Sequence, residues 1–404
     1  MGSEKLEKGA SILSYGLLAM TVTHTLTHVF AGIPAALFPT LMKPTEFNLT
    51  IQQVGIIAAI PPLCSALLSL PMGLLSDRYG SKRMVLLSML ISAVGGLVAS
   101  QARSPLMFIA ALGLLAINTT IYHPAAYSFT TKLFKPKDRP KALGLHGAGG
   151  TFGMSIGPIS LSILMGALAF RWQQVYLFWL VPIILGALAV LRMKSEPADA
   201  VTEEIPNITE TENRSDPTKL LTLSLVMFLV FVGIRSVGRS MISSFLPIYL
   251  VNVKGMTESL SSLIYGSSSL MGLVAAPLGG LVAAKFGEKR SLLTVLCLSY
   301  LSLTLAFLIP NTVIFVIFYL ISCFFNFLGM AANSSIVAGL SPSSQRGLGY
   351  ALFFLPGSIM GAVAPIIAAF IGEAFGLTSI FIASLAVYIV GLILLQFGVK
   401  VGPS

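Results

Sequence analysis

Two pairs of residues in this chain have types and spacing that could do chemistry. His24 and His28 are four positions apart with Thr21 and Thr25 beside them, and Arg235 and Arg239 are four apart with Ser236, Ser240 and Ser243 nearby. Residues so spaced share one face of a helix. Both pairs fall in the middle of long apolar runs, where an ionisable group is costly unless it faces a cavity or a partner. All four histidines, His24, His28, His123 and His146, lie in such runs, yet none of the fifteen Asp and Glu falls near the centre of one. Two permanent cations with no acid to neutralise them attract anions, and a guanidinium fork matches carboxylate or phosphate oxygens. Arg235 and Arg239 are therefore the expected anion-binding residues. The competing reading has them snorkel to an interface or bond helix-end carbonyls. Roughly fifteen residues separate them from either end of their run, which is too far for that reach. The histidines are candidate co-ligands or proton carriers, because imidazole titrates near neutral pH. A neutral imidazole bonded to a neighbouring helix is the structural alternative. The His24-x-x-x-His28 spacing would also suit a metal ion. The nearby arginines and the missing carboxylates argue against one, so neither a metal nor a cofactor is expected.

The surroundings these pairs need follow from composition. Of 404 residues 55% are hydrophobic and only 10% charged, and the mean hydropathy is +0.88. A soluble domain carries about a quarter charged residues, so the chain is expected in a lipid bilayer. Charged and Pro/Gly-rich breaks divide it into twelve apolar runs, at 11–41, 50–75, 82–101, 104–133, 140–168, 172–193, 219–252, 257–283, 289–309, 311–340, 344–373 and 377–399. Each is long enough for the ~20 residues of a spanning helix. The net charge of +10 tracks topology and not nucleic acid. With both termini cytoplasmic, Arg78, Lys82, Arg83, Lys132, Lys135, Lys137, Arg139, Lys141, Lys285, Lys289 and Arg290 fall inside, and only Lys43, Arg103, Arg171 and Lys254 fall in outer loops. The start, MGSEKLEKGASILSYG, has two acids and no small-residue cleavage site, so the first helix is expected to stay. Cys64, Cys297 and Cys323 all sit in predicted helices and are expected to be reduced.

The runs form two sets. A segment at 195–218 is poor in apolar residues and holds Glu196, Asp199, Glu203, Glu204, Glu210, Glu212 and Asp216. It reads as a solvated cytoplasmic linker between six-helix halves at 1–194 and 219–404. Shifting the chain by 207 or 208 positions places Pro39 on Pro247, Gly73 on Gly280, Gly80 on Gly287, Lys82 on Lys289, Arg83 on Arg290, Arg139 on Arg346, Gly150 on Gly357 and Pro158 on Pro365. A nearly constant offset across a whole half marks a repeat. It also places His28 on Arg235.

After the second run the chain reads Gly73-Leu-Leu-Ser-Asp77-Arg78-Tyr-Gly80-Ser-Lys82-Arg83. This resembles the G-x-x-x-D-R-x-G-x-K-R signature of the major facilitator superfamily, and the resemblance covers essentially the whole chain. The second copy, Gly280 to Arg290, has Ala284 where Asp77 stands. The resemblance implies that Asp77 stabilises one end state of alternating access, with Gly73, Arg78, Gly80 and Arg83 as its conformational partners. Small residues four apart at Gly149, Gly153 and Gly157 allow close helix approach, and Pro158 bends the span, which suits a hinge face at Gly153, Gly157 and Pro158. The stretch is similar to the G-x-x-x-G-P motif of the family's antiporters, although the glycines that often follow are Ile159 to Ser162. Tyr122-His123-Pro124 in the fourth run is similar to the fosmidomycin-resistance efflux branch. Asn118, Thr119 and Thr120 replace its usual glycines, and no arginine stands around Ala110 to Gly113, where the family places one for proton coupling. Superfamily exchangers of organic phosphates are similar in using basic residues of helices 1 and 7, but His stands here in place of Arg on helix 1. By the family's plan helices 1 and 7 line a central cavity. Tyr122 and Asn333 are taken as substrate contacts, with Asn118, Tyr265, Asn326, Tyr350 and Phe354 as further lining.

The expectation is an all-α membrane protein of twelve transmembrane helices in two six-helix pseudo-repeats, a monomer in the cell membrane. Its function would be secondary active transport by alternating access, most simply proton-coupled efflux of a small anionic or zwitterionic compound. Uptake or exchange of an organic or inorganic anion is the alternative. Under the first reading His24, His28, His123 and His146 are the proton-coupling candidates, since no buried carboxylate is available. No nucleophile-elbow, metal-ligand or phosphate-cradling pattern supports an enzyme, and the linker is too short for the soluble domain of a receptor.

Overall fold

The computed structural model describes residues 14–135, 138–194, 222–341 and 346–400. The segment expected as a linker at 195–218 lies outside the described residues. Among the described residues thirteen helices make up the regular structure: α1 (Tyr15–Leu41), α2 (Ile51–Tyr79), α3 (Ser81–Ser100), α4 (Pro105–Leu133), α5 (Arg139–Gly166), α6 (Trp172–Arg192), α7 (Leu223–Asn252), α8 (Glu258–Phe286), α9 (Glu288–Leu308), α10 (Thr312–Leu328), α11 (Met330–Leu340), α12 (Arg346–Phe375) and α13 (Leu377–Gly398). α10 and α11 are one span broken at Gly329, so among the described residues twelve helices are long and apolar enough to cross a membrane. Helices are the form an apolar chain must take there, because they satisfy every backbone donor and acceptor internally. Their starts are capped by Thr50, Ser104, Thr222, Thr257 and Asn311, whose side chains accept from the first-turn amides.

The repeat is visible in the turns. Gly80, between α2 and α3, has φ +86° and ψ 141°, and Gly287, between α8 and α9, has φ +81° and ψ 146°. Only glycine enters that region of backbone space at little cost. The lysine after each turn does the same work in each half. Lys82 Nζ donates to the carbonyls of Leu191 and Met193 at the end of α6. Lys289 Nζ donates to those of Gln396 and Val399 at the end of α13, at 2.8 and 2.7 Å. Each signature lysine thus caps the last helix of its own half, where a cation also meets the negative end of the helix dipole.

The halves meet through α5 on α8 and α2 on α12. These contacts cluster toward the end that carries the 42–50 and 253–257 loops. Ser259 Oγ donates to Ser162 O at 2.8 Å and Ser262 Oγ to Ala36 O at 3.4 Å, and Lys43 pairs with Glu258 at 2.7 Å. A methyl on Gly55 would lie 2.6 Å from Ala369 Cβ, and one on Gly266 would lie 2.7 Å from Ser155 O. At this end the halves are in close contact.

Candidate functional site

On the C-terminal side a cavity of ≈ 200 Å³ is lined by Arg239, Asn326 and four tyrosines, Tyr265, Tyr300, Tyr319 and Tyr388, with Met154 contributed by α5. The arginines hold different positions. Arg239 is exposed along the cavity wall, while the partly buried Arg235 donates from Nη2 to Asn326 Oδ1 at 3.0 Å. Among the described residues neither is paired with a carboxylate. Gly238 lies between them, and a methyl there would come within 2.7 Å of the Tyr388 ring. That gap lets Tyr388 lie on α7 and stack on Tyr300, with ring centroids 4.2 Å apart and planes at 4°. The cavity so built offers fixed positive charge and several hydroxyl donors. An anion could replace water there without leaving its oxygens unpaired.

The four histidines gather in the N-terminal half. His28 Nε2 is 3.1 Å from His24 Nε2 and 3.1 Å from His123 Nε2, and the last two are 3.3 Å apart. The His146 ring stacks on His24 at 4.2 Å. Two main-chain carbonyls orient the cluster: His24 Nδ1 donates to His146 O at 2.7 Å and His123 Nδ1 to Thr119 O at 2.8 Å. A carbonyl only accepts, so those Nδ1 atoms carry the protons and the Nε2 lone pairs face the centre.

The helix-5 glycines build this arrangement. Without side chains, Gly149 and Gly153 let α5 press on the Thr21 and Thr25 carbonyls of α1, Gly157 presses on that of Val29, and Gly150 rests on the His24 ring. Thr25 Oγ1 donates across the same seam to Gly149 O at 2.9 Å. Gly153, Gly157 and Pro158 are thus placed in packing within one half, whereas α5 meets the other half through Ser155 and Ser162.

Other expected residues are placed elsewhere. Tyr122 is fully buried and its hydroxyl donates to Met20 O at 2.7 Å, tying α4 to α1. Asn118 is buried. Asn333 is buried too, its Nδ2 donating to Gly329 O at 3.1 Å. Tyr265 and Asn326 do line the cavity, Phe354 is exposed, and the Tyr350 side chain lies outside the described residues. Gly73, Asp77 and Arg78 fall in the last two turns of α2, Gly80 in the turn, and Arg83 in the first turn of α3. Tyr300, Tyr319 and Tyr388 had no distinguishing mark in the sequence, since a tyrosine in an apolar run usually packs.

A family model described as Major Facilitator Superfamily matches residues 20–237 and again 228–404. A probable nitrate transporter, NarT, of Staphylococcus epidermidis is 22% identical over 85% of this chain and 86% of its own. The fosmidomycin resistance protein of Escherichia coli is 25% identical over 68% of this chain and 67% of its own. Among solved structures, a bacterial homologue of the human lysosomal transporter Spinster, in an inward-facing and occupied conformation, superposes with a TM-score of 0.82. It does so at 17% identity over 96% of this chain and 97% of that one.

Proposed function

This chain belongs to the major facilitator superfamily, and on that premise we propose that it carries a small anionic or zwitterionic compound across the cell membrane by alternating access, outward against inward-moving protons. The observation that carries the substrate class is Arg239 in the wall of a tyrosine-lined cavity, with Arg235 behind it on the lining residue Asn326 and neither arginine paired with a carboxylate among the described residues. The moving bodies are residues 1–194 and 219–404, joined by the cytoplasmic linker at 195–218. The signature at Gly73, Asp77, Arg78, Gly80 and Arg83 sets the balance between end states. Protons are carried by the histidine cluster, because none of the described carboxylates lies near the middle of a span. One relative is named for resistance to fosmidomycin, an outcome that export of a compound would produce.

A second reading is uptake or exchange of an inorganic anion. It is favoured by the broader match to proteins named as probable nitrate transporters, which reaches 93% of this chain in the Staphylococcus aureus relatives. Purified protein in proteoliposomes decides between them. Transport of a phosphonate that collapses when the pH gradient is abolished supports proton-coupled efflux. Transport of nitrate that ignores the gradient but needs anion on the opposite side supports exchange. Equal stabilisation by lipophilic cations and by anions, unaffected by Arg235→Ala and Arg239→Ala, would sink the anion reading altogether.

A further inference from the structure

We propose that His24, His28 and His123 form a binding site for one divalent transition-metal ion, zinc by preference. The inference does not depend on the substrate or the direction of transport, but a metal on these nitrogens competes there with the protons of the reading above. A zinc ion binds imidazole nitrogen at about 2.0–2.1 Å, so three nitrogens at corners of its tetrahedron stand about 3.3 Å apart. The three Nε2 atoms here are separated by 3.1, 3.1 and 3.3 Å. They come from two helices, α1 and α4, and their ligand atoms form the compact group of His, Cys, Asp or Glu found among the described residues.

The chemistry of the ring orientations points the same way. The Nδ1–H of His24 and of His123 each donates to a main-chain carbonyl, which is how metal-bound histidines are fixed in one tautomer with the other nitrogen free to ligate. Two bare Nε2 lone pairs therefore face each other across 3.3 Å. His28 has a single Nε2–H to share between them, and its Nδ1 has no partner among the described residues. Lone pairs held this close want a cation at their centre. His28 and His123 are only partly buried, which gives an ion a way in. No described Cys, Asp or Glu completes the cluster, so the fourth position is left for water or an incoming ligand, as in zinc sites that exchange ligands. Imidazole nitrogen without hard oxygen ligands favours zinc, nickel or copper over magnesium or calcium.

The test uses full-length protein without a histidine tag, stripped with chelator and titrated with cobalt chloride. The expected result is one cobalt per chain with the strong visible bands of a four-coordinate ion, displaced by one equivalent of zinc. His28→Gln and His123→Gln should each weaken binding by more than about 100-fold, beyond the 10- to 100-fold typical of losing an outer partner, while His146→Phe should keep it. X-ray absorption on the zinc-loaded wild-type protein should count three imidazoles, a readout that no misfolded variant can confuse. The proposal is overturned by absence of stoichiometric metal, by the weak spectrum of a six-coordinate ion, by fewer than three imidazoles, or by unchanged binding in both His28→Gln and His123→Gln.

Discussion

Arg239 stands free along the cavity wall while Arg235 is held by Asn326, and this difference gives the two arginines separable roles. Arg239→Ala should remove a direct contact, weakening anion-dependent thermal stabilisation by about 10- to 100-fold in apparent affinity, the scale of a hydrogen bond to a charged group. Asn326→Ala leaves both charges and should weaken it less. A larger loss for Asn326→Ala than for Arg239→Ala in the same assay would contradict the assignment. The arginines were legible in the sequence because a charge in an apolar run has few explanations. Of the cavity tyrosines only Tyr265 was picked out beforehand; Tyr300, Tyr319 and Tyr388 were not, since they come from α9, α10 and α13 and meet only when the half is folded. Tyr122 failed as a cavity residue for a related reason: its neighbour His123 points into the cluster, but its own hydroxyl was needed by a carbonyl of α1.

At the scale of elements, the seam between α1 and α5 has no room for a side chain on its glycines. Gly150→Ala would set a methyl 2.6 Å from the His24 ring and should cost about 1–3 kcal/mol by overpacking, read as a lower melting temperature in detergent. It should also disperse the histidines. An unchanged melting temperature would mean that the seam has room for a methyl. In the turns, Gly80→Ala and Gly287→Ala should each cost about 1–3 kcal/mol of backbone strain. Lys82→Ala and Lys289→Ala remove equivalent caps, so each should destabilise its own half by a similar amount, up to about 2 kcal/mol. Proteolysis that opens both halves equally in each lysine variant would argue against that local role. Twelve spans were readable because hydropathy over some twenty residues is a strong signal. The break at Gly329 was not readable, because it depends on α8: Gly279 lets that helix sit directly against the Leu328 carbonyl. Likewise the convergence of α1 with α4 is long-range, and spacing along one helix shows only the His24–His28 pair.

At the scale of the molecule, the two halves grip each other at the end that carries Lys43 and Glu258, so access to the cavity from that end requires those contacts to part. Cys323 lines the cavity and is a native reporter once Cys64 and Cys297 are replaced by Ser. Lys43→Ala or Glu258→Ala should raise its reaction rate with an impermeant thiol reagent added from that side. An unchanged rate in both variants would mean the pair plays no part in holding the end shut.

The expected gain is small, and its smallness is informative. The Lys43–Glu258 pair is partly solvated, with side-chain exposures of 47% and 32%, and such a pair is worth no more than about 1 kcal/mol. Breaking it changes the ratio of end states by about fivefold at most, since a tenfold change takes 1.4 kcal/mol. The serine contacts beside it are ordinary neutral hydrogen bonds of similar worth. Under the proposed alternating access, polar contacts this weak add little to the helix packing that must part once in every cycle. On that proposal, a modest preference of the cargo for one orientation offsets the polar part of the fastening.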